Sequence, residues 1–201
     1  MPSPIRAILF DFGGVLAEEG FRNGLVALAS EQELDAIHMP EEGMRAVYDS
    51  GFVTGRGTAA DFWALLRNRT GLQGADEDLT QRILDGFVVR PWMMELVGEL
   101  NARGYITGIL SDQTLWLDIL DEQYCFYKRF NHIFNSYYLG KGKQDPTLFT
   151  DVAAVLRLPP AEILFIDDDV GNVDRARTSG YQGLQYISQQ QFLTELEKVL
   201  S

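Results

Sequence analysis

The run Ile5-Arg6-Ala7-Ile8-Leu9-Phe10 ends on a carboxylate, Asp11, and the chain then reads Phe12-Gly13-Gly14-Val15-Leu16. The run is short and β-branched at several positions, so it reads as a buried strand. Asp11 then sits at the carboxyl end of that strand, the edge where open α/β sheets place their chemistry. A carboxylate in such a place is poorly hydrated unless a cation meets it. The rest of the sequence is therefore read for what meets Asp11.

Beyond residue 90, strand-like and helical runs alternate. Pro91 suits the first turn of a helix over residues 92–103, which Gly104 closes. Strands are expected at 105–110, 134–138, 163–166 and 183–187. Helices are expected at 115–124, 147–156, 172–179 and 191–200. This alternation predicts an α/β, Rossmann-like parallel sheet with helices on both faces.

Residues 17–90 break the alternation and read as helical throughout. Helices are expected at 23–38, 41–52 and 76–89, with another opened by the capping-box pattern Thr58-Ala59-Ala60-Asp61 and stopped by Gly71. Met39-Pro40 is expected to end the first of these, since the residue before proline is pushed out of the α region. Four helices with no strand between them predict a small helical cap domain over 17–90, inserted into a core of 1–16 and 91–201.

Composition narrows the partners. With 201 residues, 46% of them hydrophobic, the chain can bury a real core. A formal net charge of −12 argues against nucleic acid and anionic membrane as partners. A small phosphorylated substrate stays admissible, because a divalent cation reverses the local sign of the field. No apolar run approaches the ~18–20 residues of a membrane span. Met1-Pro2-Ser3-Pro4 carries no signal-type segment, so a cytoplasmic protein is expected. The single cysteine, Cys125, excludes an intramolecular disulfide and is expected to be a small buried residue at a helix end. His38 and His132 are too few and too scattered for a zinc site.

Four strand ends or loops supply polar groups that a parallel sheet brings to one edge: Asp11, Ser111, Lys143 and the pair Asp167-Asp168. Asp11 and Asp168 can share a hard, oxygen-ligated cation such as Mg²⁺. Ser111 can donate to a phosphoryl oxygen, and Lys143 adds a point charge that also holds Asp11 ionised. An ionised Asp11 can attack phosphorus to form an acyl phosphate.

On these residues the chain resembles the haloacid dehalogenase superfamily, in its subfamily with a helical cap after the first motif. Asp11-Phe12-Gly13-Gly14-Val15-Leu16 resembles the first motif, with Asp11 as nucleophile, and Leu110-Ser111-Asp112 the second, whose hydroxyl binds the transferring group. Lys143-Gln144-Asp145-Pro146 resembles the third, which favours Lys143 over Lys141. Phe165-Ile166-Asp167-Asp168 with Asn172-Val173 resembles the fourth. The resemblance implies a Mg²⁺ site of Asp11, the Gly13 main-chain carbonyl and Asp168. It also implies phosphate contacts from Ser111, Asp112 and Lys143, with Asp167 and Asn172 supporting them. One position departs. The family's phosphatases usually carry a second Asp two residues after the nucleophile, as acid and base, and Gly13 stands there.

Plainer roles exist for the same residues. Asp11 can be a turn residue, Ser111-Asp112 the N-cap of the following helix, Lys143 a solvated loop residue, and Asp169 the cap of the helix after it. Trp63, Phe62 and Trp92 fit packing roles, while Trp116, Phe21 and Arg22 are candidates to face a pocket. Three functions stay open. The preferred one is a Mg²⁺-dependent phosphatase of a small phosphorylated metabolite. The second is a non-catalytic phosphate- and metal-binding regulator, suggested by Gly13. The third is a 2-haloacid dehalogenase, for which the pair Asp167-Asp168 has no use.

Overall fold

The computed structural model describes residues 4–201, so the observation on Met1-Pro2-Ser3 falls outside it. The first strand is β1 (Ala7–Phe10), and the chain then forms α1 (Gly20–Glu31), α2 (Met39–Asp49), α3 (Ala59–Thr70) and α4 (Asp76–Leu84) before any further strand. There follow α5 (Pro91–Ala102), β2 (Ile106–Ser111), α6 (Trp116–Tyr124), β3 (His132–Asn135), α7 (Ser136–Leu139) and α8 (Leu148–Leu156). The chain ends with β4 (Ile163–Asp167), α9 (Val170–Thr178), β5 (Gln182–Gln185) and α10 (Gln189–Leu200).

All strand pairs are parallel, in the order β3-β2-β1-β4-β5. Side chains alternate across the central strand as strand geometry requires. Ile8 and Phe10 join the apolar cluster formed with α5, α6 and α10, whereas Ala7 and Leu9 join the one formed with α8 and α9. Helices therefore cover both faces. The order also carries a consequence for chemistry. From β1 the chain builds outward through β2 and β3, then returns to place β4 on the other side of β1. Strand order reverses there, and the crevice at the carboxyl ends of β1 and β4 is the ligand-binding position of open α/β sheets.

The helical segment is tied to the core at its neck. Ala17 pairs antiparallel with Val89. The Glu18 N–H donates to Val88 O and the Arg90 N–H to Leu16 O, both at 2.9 Å. The Arg90 guanidinium donates to the carbonyls of Gly14 and Val15 at 2.8 and 2.9 Å. Thus the exit of the helical segment also holds the glycine turn after Asp11. Its interior is continuous with the sheet face through aromatic contacts: Trp116 of α6 lies 5.3 Å from Phe52 and 5.9 Å from Phe62, ring centre to ring centre. Phe62, Trp63 and Trp92 are packing residues.

Several local expectations shift. Met39-Pro40 opens α2 instead of closing α1, because proline at the first helical turn lacks only an N–H that has no helical partner there. The helix expected over 23–38 begins earlier and stops at Glu31, and Glu33 takes a left-handed φ of 56° beyond it. The third strand is His132–Asn135, not 134–138. The Asn135 side chain accepts from the Tyr137 N–H and starts a one-turn helix where the strand was expected to continue. Cys125 is exposed, not buried, since it closes α6 in the left-handed conformation on the outside of the molecule. Thr58 and Asp61 do form the capping box, and Gly71 closes α3.

Candidate active site

Asp11 leaves β1 with its N–H bonded to Ile166 O at 2.8 Å, so it stands beside the end of β4. Three donors converge on its Oδ1: the Phe12 N–H at 2.7 Å, the Ser111 hydroxyl at 2.5 Å and the Lys143 ammonium at 2.8 Å. Oδ2 is the acceptor of none of them. Lys143 also lies 2.6 Å from Asp167 Oδ2, and its side chain is only 2% exposed. It is therefore not a solvated loop residue. Lys141, the other lysine of the loop, is exposed and pairs with Asp151.

Asp167 is held from three sides, by Lys143, by the Asn172 amide and by the Asp169 N–H. Asp169 accepts from the Asn172 N–H and caps α9, as the plain reading has it. Asp112 receives the Lys143 N–H on both oxygens, at 2.9 and 3.0 Å, and the Tyr48 hydroxyl at 2.5 Å. Its carboxylate is thus committed to holding the lysine loop. Ser111-Asp112 is no helix cap, since α6 starts only at Trp116 and Leu115 precedes it.

Asp168 is exposed to the crevice and packs on the turn after Asp11. A Cβ on Gly14 would lie 2.5 Å from Asp168 Oδ2, and Gly14 has a φ of 79°. The positive φ favours glycine there, and any side chain would also displace the Asp168 carboxylate. Gly13 is different, because its φ lies outside the left-handed region. A Cβ on Gly13 would meet Glu19 Oε2 at 3.1 Å, Phe87 Cε1 at 3.3 Å and Gln113 Nε2 at 3.8 Å.

Charge and burial oppose each other at this edge. Burial raises the Asp11 carboxyl above its ordinary range, against the pull of Lys143 and Ser111. It raises Asp167 to about 6, again against Lys143, with Asp11 adding to the rise. Asp168 is raised by burial and then by Asp167. Burial works against the Lys143 ammonium, but Asp11, Asp167 and Asp112 more than offset it, and its pKa rises. Ligand oxygens of Asp11, Asp167 and Asp168 lie within 4.8 Å of one another. Three crowded carboxylates with one ammonium leave an excess of negative charge on hard oxygen donors. This donor set fits Mg²⁺.

Above these residues is a cavity of about 400 Å³, whose other wall comes from the helical segment. Phe21 and Arg22 line it, as does Trp116, in line with their candidacy. Met44, Tyr48 and Glu19 line it too and were not singled out from the sequence. Tyr48 and Met44 lie on an amphipathic helix, where nothing in the pattern distinguishes a pocket-facing from a core-facing side chain. Glu19 follows an exposed acidic neighbour and carries no motif.

A five-stranded parallel sheet with a buried carboxylate, Asp11, at its switch point defines the α/β class of fold. The chain belongs to the haloacid dehalogenase-like hydrolase family, whose model matches residues 5–180. Among curated proteins it is 28% identical over 108 residues to flavin mononucleotide hydrolase 1 of Arabidopsis thaliana, covering 54% of this chain and 44% of that protein. It is 24% identical to bifunctional epoxide hydrolase 2 of Mus musculus, covering 97% of this chain and 39% of that one. The chain thus spans less than half the length of these relatives. It is 26% identical to phosphoglycolate phosphatase of Salmonella typhimurium, covering 88% of this chain and 79% of the relative.

Among solved structures, a family enzyme from Bacteroides thetaiotaomicron superimposes with a TM-score of 0.71 at 20% identity, covering 96% and 99% of the two chains. A complex of that enzyme with magnesium and inorganic phosphate gives 0.65 at 22% identity, covering 92% and 96%. The L-2-haloacid dehalogenase of Xanthobacter autotrophicus with chloropropionic acid covalently bound gives 0.67 at 18% identity, covering 96% and 83%. At these identities the likeness is one of fold. No helix among the described residues is long and apolar enough to cross a membrane.

Proposed function

We propose that the chain is a Mg²⁺-dependent phosphatase acting on a small phosphorylated metabolite through an acyl phosphate on Asp11. The observation that carries this reading is Lys143, buried between Asp11 and Asp167 at 2.8 and 2.6 Å with Asp168 beside them. Phosphoryl transfer asks a protein mainly for positioning and for charge stabilisation. The arrangement supplies both.

Asp11 Oδ1 is occupied by three donors, which leaves Oδ2 as the oxygen that attacks phosphorus. As the P–O bond to the substrate breaks, Lys143 and the Ser111 hydroxyl neutralise charge on the phosphoryl oxygens. Asp112 holds the lysine loop through the Lys143 N–H, so its own contact with phosphate would come from its main chain. Asp167 and Asn172 keep Lys143 in place. Mg²⁺ held by Asp11, Asp168 and the Gly13 carbonyl would supply charge neutralisation at the phosphate. Water then hydrolyses the acyl phosphate and regenerates Asp11. Residues 17–90 act as a cap over this site, with Phe21, Arg22 and Met44 on the substrate side of the cavity.

The relatives named as phosphatase or mononucleotide hydrolase support this class, and the net charge of −12 disfavours nucleic acid as the substrate. The dehalogenase reading draws on fold likeness alone, and it leaves the crowded carboxylates Asp167 and Asp168 without a use. A screen of phosphorylated metabolites with Mg²⁺ tests the proposal. Release of phosphate by the wild type, abolished in Asp11→Asn, is expected. Equal slow release by both on every substrate would end it in favour of a binding protein.

A further inference from the structure

We propose that Glu19 is the general acid and base of this site, contributed by the start of the helical segment instead of by the turn after Asp11. The inference rests on the phosphatase reading and adds a residue to it. The chemistry needs such a group twice. A proton must reach the leaving alkoxide as its P–O bond breaks, and a proton must leave the water whose oxygen then attacks phosphorus and expels the Asp11 carboxylate.

An inventory of the cavity's carboxylates leaves one available. Asp11 is the nucleophile. Asp167 is tied to Lys143, Asn172 and the Asp169 N–H, and Asp112 to Tyr48 and the Lys143 N–H. Asp169 caps α9. Asp168 packs against Gly14 within the carboxylate cluster. Glu19 lines the same cavity, and only its Oε1 is engaged, by the Arg22 N–H at 3.0 Å. That bond caps α1 and fixes the side chain.

The free oxygen points to the right place. Glu19 Oε2 lies 3.1 Å from the point a Cβ on Gly13 would occupy, two residues from the nucleophile. The backbone at Gly13 has no left-handed φ and would accept an ordinary side chain, so conformation does not demand glycine here. What borders the space is the Glu19 carboxylate, with the edge of the Phe87 ring at 3.3 Å beside it. The other polar atom among the three nearest to that point, Gln113 Nε2 at 3.8 Å, belongs to an amide, which is no acid. In the first step the Glu19 proton passes to the leaving oxygen. In the second the Glu19 carboxylate takes a proton from water, which returns the residue to its starting state.

The test compares wild type and Glu19→Gln on p-nitrophenyl phosphate and phenyl phosphate with Mg²⁺. Glutamine keeps an oxygen to cap α1 but carries no exchangeable acid. Nitrophenolate leaves without a proton, whereas phenolate needs one. The expected result is a stoichiometric burst of nitrophenolate from Glu19→Gln, followed by turnover slowed about 10²–10⁴-fold, with phosphate trapped on Asp11 after acid quench. Phenyl phosphate should show the same slowing without a burst. Equal slowing on both substrates with no trapped phosphoenzyme would overturn the assignment and make Glu19 a positioning residue. Unchanged turnover would overturn it too. If the wild type releases no phosphate from either compound or from the metabolite screen, the phosphatase reading falls and this inference falls with it. Should Glu19→Gln not fold, Glu19→Asp against Glu19→Asn gives the same comparison between two good helix caps.

Discussion

The Tyr48 hydroxyl donates to the Asp112 carboxylate across 2.5 Å, joining α2 of the helical segment to the end of β2. Asp112 holds the Lys143 N–H with the same carboxylate, so one residue links the outer wall of the cavity to the lysine loop. Burial first, and the Asp112 charge second, keep the Tyr48 phenol well above its usual range. The hydroxyl is therefore a donor at any pH the protein meets. Tyr48→Phe removes a bond to a charged acceptor and should cost about 1–3 kcal/mol of stability, read by urea denaturation. KM should rise more than kcat falls, since the change loosens the cavity wall and leaves Asp11 untouched. A variant with wild-type stability and kinetics would show that this link is not needed.

Lys143 is the one ammonium among three crowded carboxylates. Lys143→Met leaves Asp11 and Asp167 buried without it, and breaking a buried pair in this way costs about 3–5 kcal/mol. Denaturation at pH 7 should show that loss, and turnover should disappear. Part of the stability should return at pH 5, where protonation relieves the unpaired carboxylates. Equal destabilisation at both pH values would count against the charge explanation.

Gly14→Ala places a Cβ 2.5 Å from Asp168 Oδ2 at a φ of 79°. The left-handed backbone alone costs about 1–2 kcal/mol with a Cβ, and Asp168 must also move. Mg²⁺ affinity should therefore drop, measured by titration calorimetry. Gly98→Ala is the control, since Gly98 is on α5 with nothing near its Cβ position. It should stabilise by about 0.5–1 kcal/mol and leave Mg²⁺ binding unchanged.

The pH dependence follows from Asp167, raised to about 6 by burial against the opposing pull of Lys143. An unfolded aspartate titrates near ~4. Between these values the folded chain holds more protons than the unfolded one. Stability of the metal-free protein from this group is therefore present at low pH and declines as pH rises through about 6. Mg²⁺ opposes the same protons. Its affinity should strengthen between pH 5 and pH 7, as ionised Asp167 adds its charge beside the ligand carboxylates Asp11 and Asp168. Calorimetric titrations at the two pH values check this, and equal affinities would show that the Asp167 charge does not act on the cation.

Much of the arrangement is readable from the chain. The alternation beyond Pro91 and the strand ending on Asp11 lead to the parallel sheet, because apolar periodicity and glycine turns are local properties. The four strand-end motifs lead to Asp11, Ser111, Lys143 and Asp167-Asp168, because a parallel sheet brings consecutive carboxyl ends to one edge. Short-range competition is harder to read. Asn135 starts a helix where a strand was expected, and Met39-Pro40 starts one where a helix was expected to stop, since capping and helix-start geometry outweigh average propensity.

Glu19, Tyr48 and Met44 were not legible at all. Nothing local separates a cavity-facing residue of an amphipathic helix from a surface or core one. Their orientation depends on how residues 17–90 dock on the sheet, through the Ala17–Val89 pairing, the Arg90 bonds to the glycine turn and the packing around Trp116. Those contacts join residues dozens of positions apart. Local chemistry in the chain thus establishes the sheet, its edge and the nucleophile candidate with its counter-charges. Folding in three dimensions settles which carboxylate stands beside Gly13, because that position is bordered from outside the turn, by a side chain whose place is set by packing over long separations.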